Sequence, residues 1–523
     1  MKNIKSNKLL ILFYILLILA IIIGIVVLCV RKKSNEKFNE KSNMYNTDYQ
    51  KEIKYLNDIN YYQNELNYQK RLNFLSNAEN MLRSKRNNRD PVIFVPGFLS
   101  SQLEISNVDW NKFSKCNFSE RNDGTIWISL DPPPGGTCQS ELLKCGYDNN
   151  GNFNSSPYSK IEVKGKFGDI ESSRCLNDTA FCFAGQFGVG KDLFDGLISV
   201  GYENGKDLFG AAYDFRLVPY GNAFNINSYN QTHNYVGRYF LQLKNLIEDV
   251  YRNNGNKKVH LVGHSEGCKI ISLFISVFRK FSEVGDIESG WVDKYLNKLM
   301  LVAPAIEGAP KILQGILSGT NPGLPLATDK ETAKLARTFA GSMFLIPPFK
   351  ESYDNTHPVY KGIFASLPDE TYLIGSKNEV GYNSNMLRFL TKCSETNEEF
   401  NLVIDLYLNI LNANIEAFKD PGLEVQLYLG DICNTPKSFK YSNYNFDNLK
   451  ITWSDKGDST VPSPYVILNG TEYMYNGEIR KIYPWKNVHI NKYICNTPTN
   501  ETMHLDLIKN KDVINSIIDI VSR

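Results

Sequence analysis

Neither sign of charge dominates this sequence. Lys and Arg number 58 against 56 Asp and Glu, a net of +2 over 523 residues. Nothing basic marks the chain for nucleic acid, and no acidic run suggests a solvating tail. Paired CxxC motifs and histidine clusters are missing too, which removes the spacing a zinc site would need; no metal and no diffusible cofactor is expected. There are no internal repeats, so a solenoid is excluded. Histidine itself is scarce. The six are His233, His260, His264, His357, His489 and His504, so a histidine base must come from a short roster. What is present is 42% hydrophobic residues, ample for one large domain or two ordinary ones around a substantial core.

Charge is absent altogether from Leu9 to Val30, 22 consecutive residues. At helical rise they span about 33 Å, enough to cross a hydrocarbon core of about 30 Å. A transmembrane anchor at 9–30 is therefore expected, behind a short tail at 1–8. The alternative is a cleaved signal peptide, whose apolar region would run about 7–15 residues to a small-residue site. Here Val27–Val30 passes directly into Arg31, Lys32 and Lys33. Lys2, Lys5 and Lys8 flank the other side, so the positive-inside rule chooses no orientation.

Cysteine helps to choose it. Cys29 lies in the anchor, and Cys268 is expected to be buried. The other eight are Cys116, Cys138, Cys145, Cys175, Cys182, Cys393, Cys433 and Cys495. They form an even set in loop-like stretches, which suits an oxidising compartment. Sequons at Asn117, Asn154, Asn177, Asn230, Asn469 and Asn500 agree with a lumenal or extracellular placement. Residues 31–89 are polar, with only a weak helical stretch near Leu66–Leu82, and read as a stalk or as an N-terminal helical cap.

At Asp90 the texture changes. Pro91–Gly97, Leu208–Tyr213, Val259–Gly263, Leu299–Ala303, Tyr372–Gly375 and Val425–Gly430 are short apolar runs suited to buried strands. Between Phe224 and Tyr251, Tyr235, Tyr239, Leu243 and Ile247 recur at intervals of four, the mark of a helix. Further helices are expected at Cys268–Phe281 and Leu505–Val521. Strands alternating with helices give an α/β domain over 90–523, with a mostly parallel sheet covered on both faces.

Gly263-His264-Ser265-Glu266-Gly267 fits G-x-S-x-G, with an apolar strand running in and a helix running out. A sharp turn of this kind needs small flanking residues and lifts the serine hydroxyl clear of the sheet. The helix that follows points its N-terminal N–H groups at a developing oxyanion. The hydroxyl is a weak nucleophile unless a base takes its proton. In the α/β-hydrolase fold the order is Ser, acid, His, which leaves His504 as the candidate base, just before the final helix, with His489 as the alternative. The candidate acid is Asp458 in Gly457-Asp458-Ser459-Thr460-Val461, after the short strand Lys450–Trp453; Asp455 is the alternative. The oxyanion donors are expected to be the backbone N–H groups of Phe98, after the first strand, and Glu266. The Glu266 carboxylate would oppose the transition state if it pointed inward, so it is expected to face solvent or a cation. Insertions at 104–187 and 304–364 break the strand–helix rhythm; the second, with Pro322, Pro325, Pro347 and Pro348, is loop-rich and reads as a lid or cap.

With these pieces in order, the chain resembles the lecithin:cholesterol acyltransferase family, which includes lysosomal phospholipase A and phospholipid:diacylglycerol acyltransferases. The resemblance runs from about Asp90 to Arg523. Pro91–Glu104 looks like the family's oxyanion-strand segment, Ala212–Leu217 its Tyr-Asp-Trp-Arg block with Phe215 in place of Trp, Gly457–Val461 its acid motif and His504-Leu505 its histidine. Thr125-Ile126-Trp127 looks like its disulfide-closed, membrane-touching loop, which implies a Cys116–Cys138 bond and makes 104–187 a membrane-binding insertion. Cys175–Cys182 and Cys433–Cys495 are further pairs to test. Two departures stand out. An apolar residue usually follows the nucleophile, and here it is Glu266; the Ala-Pro-Trp-Gly-Gly block has become Ala303-Pro304-Ala305-Ile306-Glu307-Gly308.

The resemblance implies a serine-dependent lipid O-acyltransferase or phospholipase A. Its substrate would be a phospholipid met at a membrane surface, and its acceptor a lipid alcohol or water. A neutral-lipid lipase or esterase on the same fold is the competing enzyme reading. An inactive, membrane-anchored lipid-binding protein is the reading from another class, and loss of a triad member would be its signature. Trp110 and Phe113, with Phe118 nearby, are expected to form an exposed apolar patch that meets the membrane.

Overall fold

The computed structural model describes residues 89–522, with breaks chiefly at 117–122, 129–136, 177–187, 321–327, 348–378, 463–486 and 495–502, apart from short pieces within them, and at single residues or pairs elsewhere. The chain divides into Met1–Asn87 and Asn88–Arg523. The anchor read at 9–30 and the stalk read at 31–89 therefore lie outside the described residues, except for Arg89. That residue is buried, with its guanidinium over the Tyr202 ring. Among the described residues no helix is long and apolar enough to cross a membrane.

Six strands make the central sheet: β1 (Val92–Val95), β2 (Leu208–Gly210), β3 (Val259–His264), β4 (Leu296–Val302), β5 (Glu424–Asp431) and β6 (Val488–Ile494). They lie in the order β6-β5-β4-β3-β1-β2, every neighbouring pair parallel. Parallel strands need crossover connections, and the first four carry helices: α1 (Lys191–Ser199), α2 (Tyr235–Asn253), α3 (Glu266–Val284) and α4 (Asn397–Glu416); α5 (Lys511–Val521) follows the last strand. Because side chains alternate along a strand, the sheet feeds two cores. Ile93, Val95, Leu261, Leu299 and Leu301 turn to one face with Leu243 and Ile247 of α2 and Phe274 and Phe278 of α3. Val92, Phe94, Val262, Met300 and Val302 turn to the other, with Leu193 and Leu197 of α1 and Val513 and Ile517 of α5. This is the α/β-hydrolase arrangement that the alternating pattern predicts.

Three boundaries differ from expectation for local reasons. Asn234 caps α2, its side-chain oxygen accepting the Gly237 N–H, so the helix opens at Tyr235 and not near Phe224. Leu373–Ile374 does not join the parallel sheet; it pairs antiparallel with Ala365–Ser366 in a separate four-stranded sheet that also holds Thr435–Lys440 and Lys450–Ser454. The loop-rich reading of 304–364 is replaced, where described, by three short helices at Lys311–Leu317, Asp329–Ala336 and Ala340–Phe344, the last of them wholly buried.

The 104–187 insertion carries a three-stranded antiparallel sheet of Gly124–Trp127, Leu103–Ser106 and Lys160–Val163. Cys116 and Cys138 are bonded, and Cys175 pairs with Cys182. Cys433 is also disulfide-bonded; Cys495, its expected partner, lies outside the described residues. Cys145 and Cys393 are free and buried, so the eight cysteines are not all paired, and Cys268 is free and buried as expected. The expected aromatic patch is not formed. Phe113 is 4% exposed and packs in the core, and Trp110 is partly buried against it. Trp127 is buried too, its indole N–H donating to the Leu99 carbonyl at 2.8 Å. Aromatic rings beside a disulfide-closed loop have an insertion of their own to fill, and burying them there outweighs exposure. Phe118 lies outside the described residues.

Candidate active site

The sharp turn at Ser265 follows from its neighbours. Ser265 sits at φ 53° and ψ −120°, a sparsely populated conformation that persists only when its surroundings impose it. They do so by backbone bonds: the Ser265 N–H donates to Val302 of β4, and the Ser265 carbonyl accepts from Cys268 and Ala305. The flanking glycines leave room for the turn. A Cβ on Gly267 would come within 2.3 Å of the Val95 carbonyl, and one on Gly263 within 2.9 Å of Ile271. Gly97 after β1 is under the same constraint, since its Cβ would meet that of Ser265 at 2.9 Å. The 97–100 turn thus lies directly on the serine. Gly97 accepts from the Ser100 N–H, and Leu99 stands at φ 60°. This packing brings Phe98 to the opening of α3, where Glu266 is the first helical residue.

His504 and Asp458 arrive from the ends of later elements. His504 precedes the 3-10 turn Leu507–Lys509 and α5, and its N–H donates to the Asp458 carbonyl at 2.8 Å. Its Nε2 lies 2.7 Å from Ser265 Oγ and its Nδ1 2.7 Å from Asp458 Oδ2. The other Asp458 oxygen accepts from the N–H groups of Thr460 (3.0 Å) and Val461 (2.7 Å). Ser265, Asp458 and His504 are each less than a tenth exposed. The alternatives fare differently. His489 lies in β6, its side chain exposed and 3.8 Å from Glu424; Asp455 lies outside the described residues.

His264 is a residue whose position the motif alone did not reveal. Buried beside the serine, it donates from Nε2 to the His504 carbonyl at 2.9 Å, while Nδ1 has no hydrogen-bond partner. Burial above all, with the nearby His504 ring adding to it, pushes the His264 imidazole down to about 3. It is a neutral brace on the backbone of His504. Its place next to the serine was legible, but its direction depends on where the last loop returns.

Glu266 departs from expectation. Its side chain is fully buried and faces neither solvent nor a contacting cation; Oε2 accepts the Tyr213 hydroxyl at 2.8 Å. A carboxylate stripped of water and given one donor is costly to ionise, and burial pushes Glu266 up to about 8 against the pull of Tyr213 and, more distantly, Lys269. Lys269, one turn on in α3, is itself fully buried. Its Nζ donates to the Phe344 carbonyl and to Asn414, and lies over the Phe344 and Phe418 rings. Burial pushes it down to about 7, with the charges of Glu266 and Glu307 pulling back. Glu307 is fully buried as well. The two sequence departures, Glu266 and Glu307, thus act on one buried lysine.

The arrangement can support acyl transfer: a hydroxyl within hydrogen-bond reach of an imidazole, a carboxyl on that ring's other nitrogen and a helix N-terminus beside the hydroxyl. Comparison with known proteins agrees. The profile of the family described as lecithin:cholesterol acyltransferase matches residues 125–420. The chain is similar to lysosomal phospholipase A and acyltransferase of Bos taurus, 26% identical over 379 residues, or 72% of this chain and 81% of that protein. It is also similar to phosphatidylcholine-sterol acyltransferase of Mus musculus, 25% identical over 444 residues, or 83% and 86% of the two chains. Among solved structures it is similar to a chain of the Tle4–Tli4 complex, at 14% identity and a TM-score of 0.43, covering 83% of this chain and 98% of that one.

Proposed function

Because the chain belongs to the lecithin:cholesterol acyltransferase family, we propose that it moves a fatty acyl group from a phospholipid, through an acyl-enzyme on Ser265, to an alcohol or to water. The observation that carries this reading is the unbroken hydrogen-bonded line from Ser265 Oγ through His504 to Asp458. His504 Nε2 takes the hydroxyl proton as Ser265 attacks the ester carbonyl. Asp458 holds the Nδ1 tautomer and steadies the imidazolium that forms. The N–H groups of Phe98 and Glu266 receive the developing oxyanion. As the carbon–oxygen bond breaks, His504 gives that proton to the departing ester oxygen, and the lysophospholipid leaves as an alcohol. In the second half-reaction the acceptor's hydroxyl attacks the acyl-serine, losing its proton to His504, which returns it to Ser265 Oγ as the acyl–serine bond breaks.

Water makes the protein a phospholipase A, and a lipid alcohol makes it an O-acyltransferase; the balance depends on how well the site excludes water. The apolar run Leu9–Val30 would tether the catalytic domain to a membrane, with its cysteines and sequons on the lumenal or extracellular side. The test is incubation with acyl-labelled phosphatidylcholine, alone and with a sterol or diacylglycerol, followed by product separation. Labelled fatty acid alone identifies the phospholipase; a labelled ester of the added alcohol identifies the acyltransferase. If Ser265→Ala made either product at the unmutated rate, the reading would fail.

A further inference from the structure

The residue that follows the nucleophile carries a carboxyl without a part in that mechanism, that of Glu266. Its Oε2 is engaged by Tyr213, and its Oε1 has no hydrogen-bond partner. The crevice holding Oε1 can be placed from Gly341. A methyl on that glycine would lie 2.9 Å from Glu266 Oε1, 2.9 Å from a ring carbon of Phe98 and 2.7 Å from the Phe215 carbonyl oxygen. The carboxyl and the side chain of one candidate oxyanion donor, Phe98, therefore border the same small space, while the Glu266 backbone supplies the other donor. Nothing in the crevice donates to Oε1: an aromatic ring and a carbonyl oxygen cannot, and the Gly341 N–H is spent on Phe215.

We propose that Glu266 is a positioning residue for acyl transfer that works in its neutral, protonated form, filling the crevice behind Phe98 and keeping the oxyanion site free of negative charge. The inference rests on Ser265 being the nucleophile. A carboxylic acid there is a polar spacer of the right shape. A carboxylate there would oppose the negative charge that develops on the substrate oxygen. The ionisable groups around it are few. Tyr213 reaches it from the segment after β2, and Cys268 and Lys269 stand on α3. Glu307 comes from the segment after β4. The Asp214–Arg216 pair is occupied with itself, with Arg216 also donating to Leu143 and Ser155. The 96–99 turn and Ala340–Phe344 bring no ionisable side chain. Burial also pushes the Tyr213 hydroxyl and the Cys268 thiol well up, so both stay neutral. Lys269, whose ammonium burial lowers toward about 7, changes charge in the same range as Glu266. Its loss of charge would make ionisation of Glu266 harder still.

The experiment is a pH profile of kcat for a water-soluble short-chain ester, using the full chain, with fluorophosphonate labelling of Ser265 as a parallel readout. In the unmutated protein kcat should fall above pH of about 8, by about tenfold per pH unit once the carboxyl ionises. Glu266→Gln, which keeps the shape and cannot ionise, should lose this alkaline limb. Tyr213→Phe removes the one donor that favours the ionised form, so its limb should move upward by roughly one pH unit. That second variant keeps the question open to refutation if Glu266→Gln fails to fold. A limb that persists unmoved in either variant overturns the inference. If Ser265 takes no label in the unmutated protein, the functional reading itself has failed; label at Ser265 with unmoved limbs condemns the Glu266 inference alone.

Discussion

Two carboxyl groups flank Ser265, and the fold houses them differently. Asp458 is 3% exposed, yet its two oxygens accept from the Thr460 and Val461 N–H groups and from His504. Glu266 is fully buried with a single donor, the Tyr213 hydroxyl, and one bare oxygen. Similar burial thus comes with different hydrogen bonding. Where three donors converge, a carboxylate can live in the interior. Where one does, the proton stays on, and Glu266 is pushed up to about 8. Under the proposed mechanism, the first kind of site would stabilise the cation that forms on His504, and the second would avoid placing an anion beside the substrate oxygen.

The largest effects should come from the hydrogen-bonded line itself. Ser265→Ala or His504→Ala should lower acyl release by roughly 10⁴- to 10⁶-fold, with the circular-dichroism spectrum and melting temperature showing an intact fold. Next comes the carboxylate. Asp458→Asn should cost roughly 10⁴-fold in kcat by inverting the hydrogen bond that fixes the His504 tautomer, whereas Asp455→Asn should stay within a few-fold of the unmutated rate. The reverse ranking would mean that the acid has been misassigned.

His264 extends the comparison to a buried base. Its folded value is depressed to about 3 by burial, so its neutral form contributes stability that is fully present above its unfolded value of about 6.5 and is lost as pH falls toward 3. Replacing it with Asn, which can still donate to the His504 carbonyl, should flatten the acid side of the stability curve by up to a few kcal/mol. Denaturant titrations at pH 7 and pH 4 would measure this, and an unchanged slope would place the acid sensitivity elsewhere. An effect of similar size is expected at Glu266. Its folded value is raised, so its stability contribution is fully present below its unfolded value of about 4.5 and declines as pH rises through 8. Glu266→Gln should therefore gain on the unmutated protein between pH 5 and pH 9. Lys269 has the opposite sign, since its depressed value makes stability fall as pH drops from its unfolded value of about 10.5 toward 7. Lys269→Met should thus gain toward acid pH, and a matched pair of curves separates the two.

How far the sequence carried this picture depended on whether the relevant forces are local. The turn at Ser265 was legible because strand, glycines and helix lie within a few residues, and each glycine answers a contact that any larger residue would make. His504 was legible by elimination among six histidines and by its place before the last helix. Asp458 was nominated from a short motif, and the fold brings it to within 2.7 Å of that histidine. The interior charges were not legible. Glu266 and Glu307 stood out as departures, but that both act on a buried Lys269 depends on where α3 meets the segment after β4. Phe113, expected in an exposed patch, failed for the converse reason. An aromatic ring near a loop suits a membrane surface or a small core equally well, and only the folded insertion decides which.

The most direct test of the account is rapid-quench mass spectrometry of the full chain mixed with phosphatidylcholine. The account predicts a transient mass increase of one fatty acyl group on the peptide containing Ser265. It should be abolished by Ser265→Ala and should decay faster when an alcohol acceptor is added. Product formation with the acyl group on another residue, or with Ser265 replaced, would contradict it.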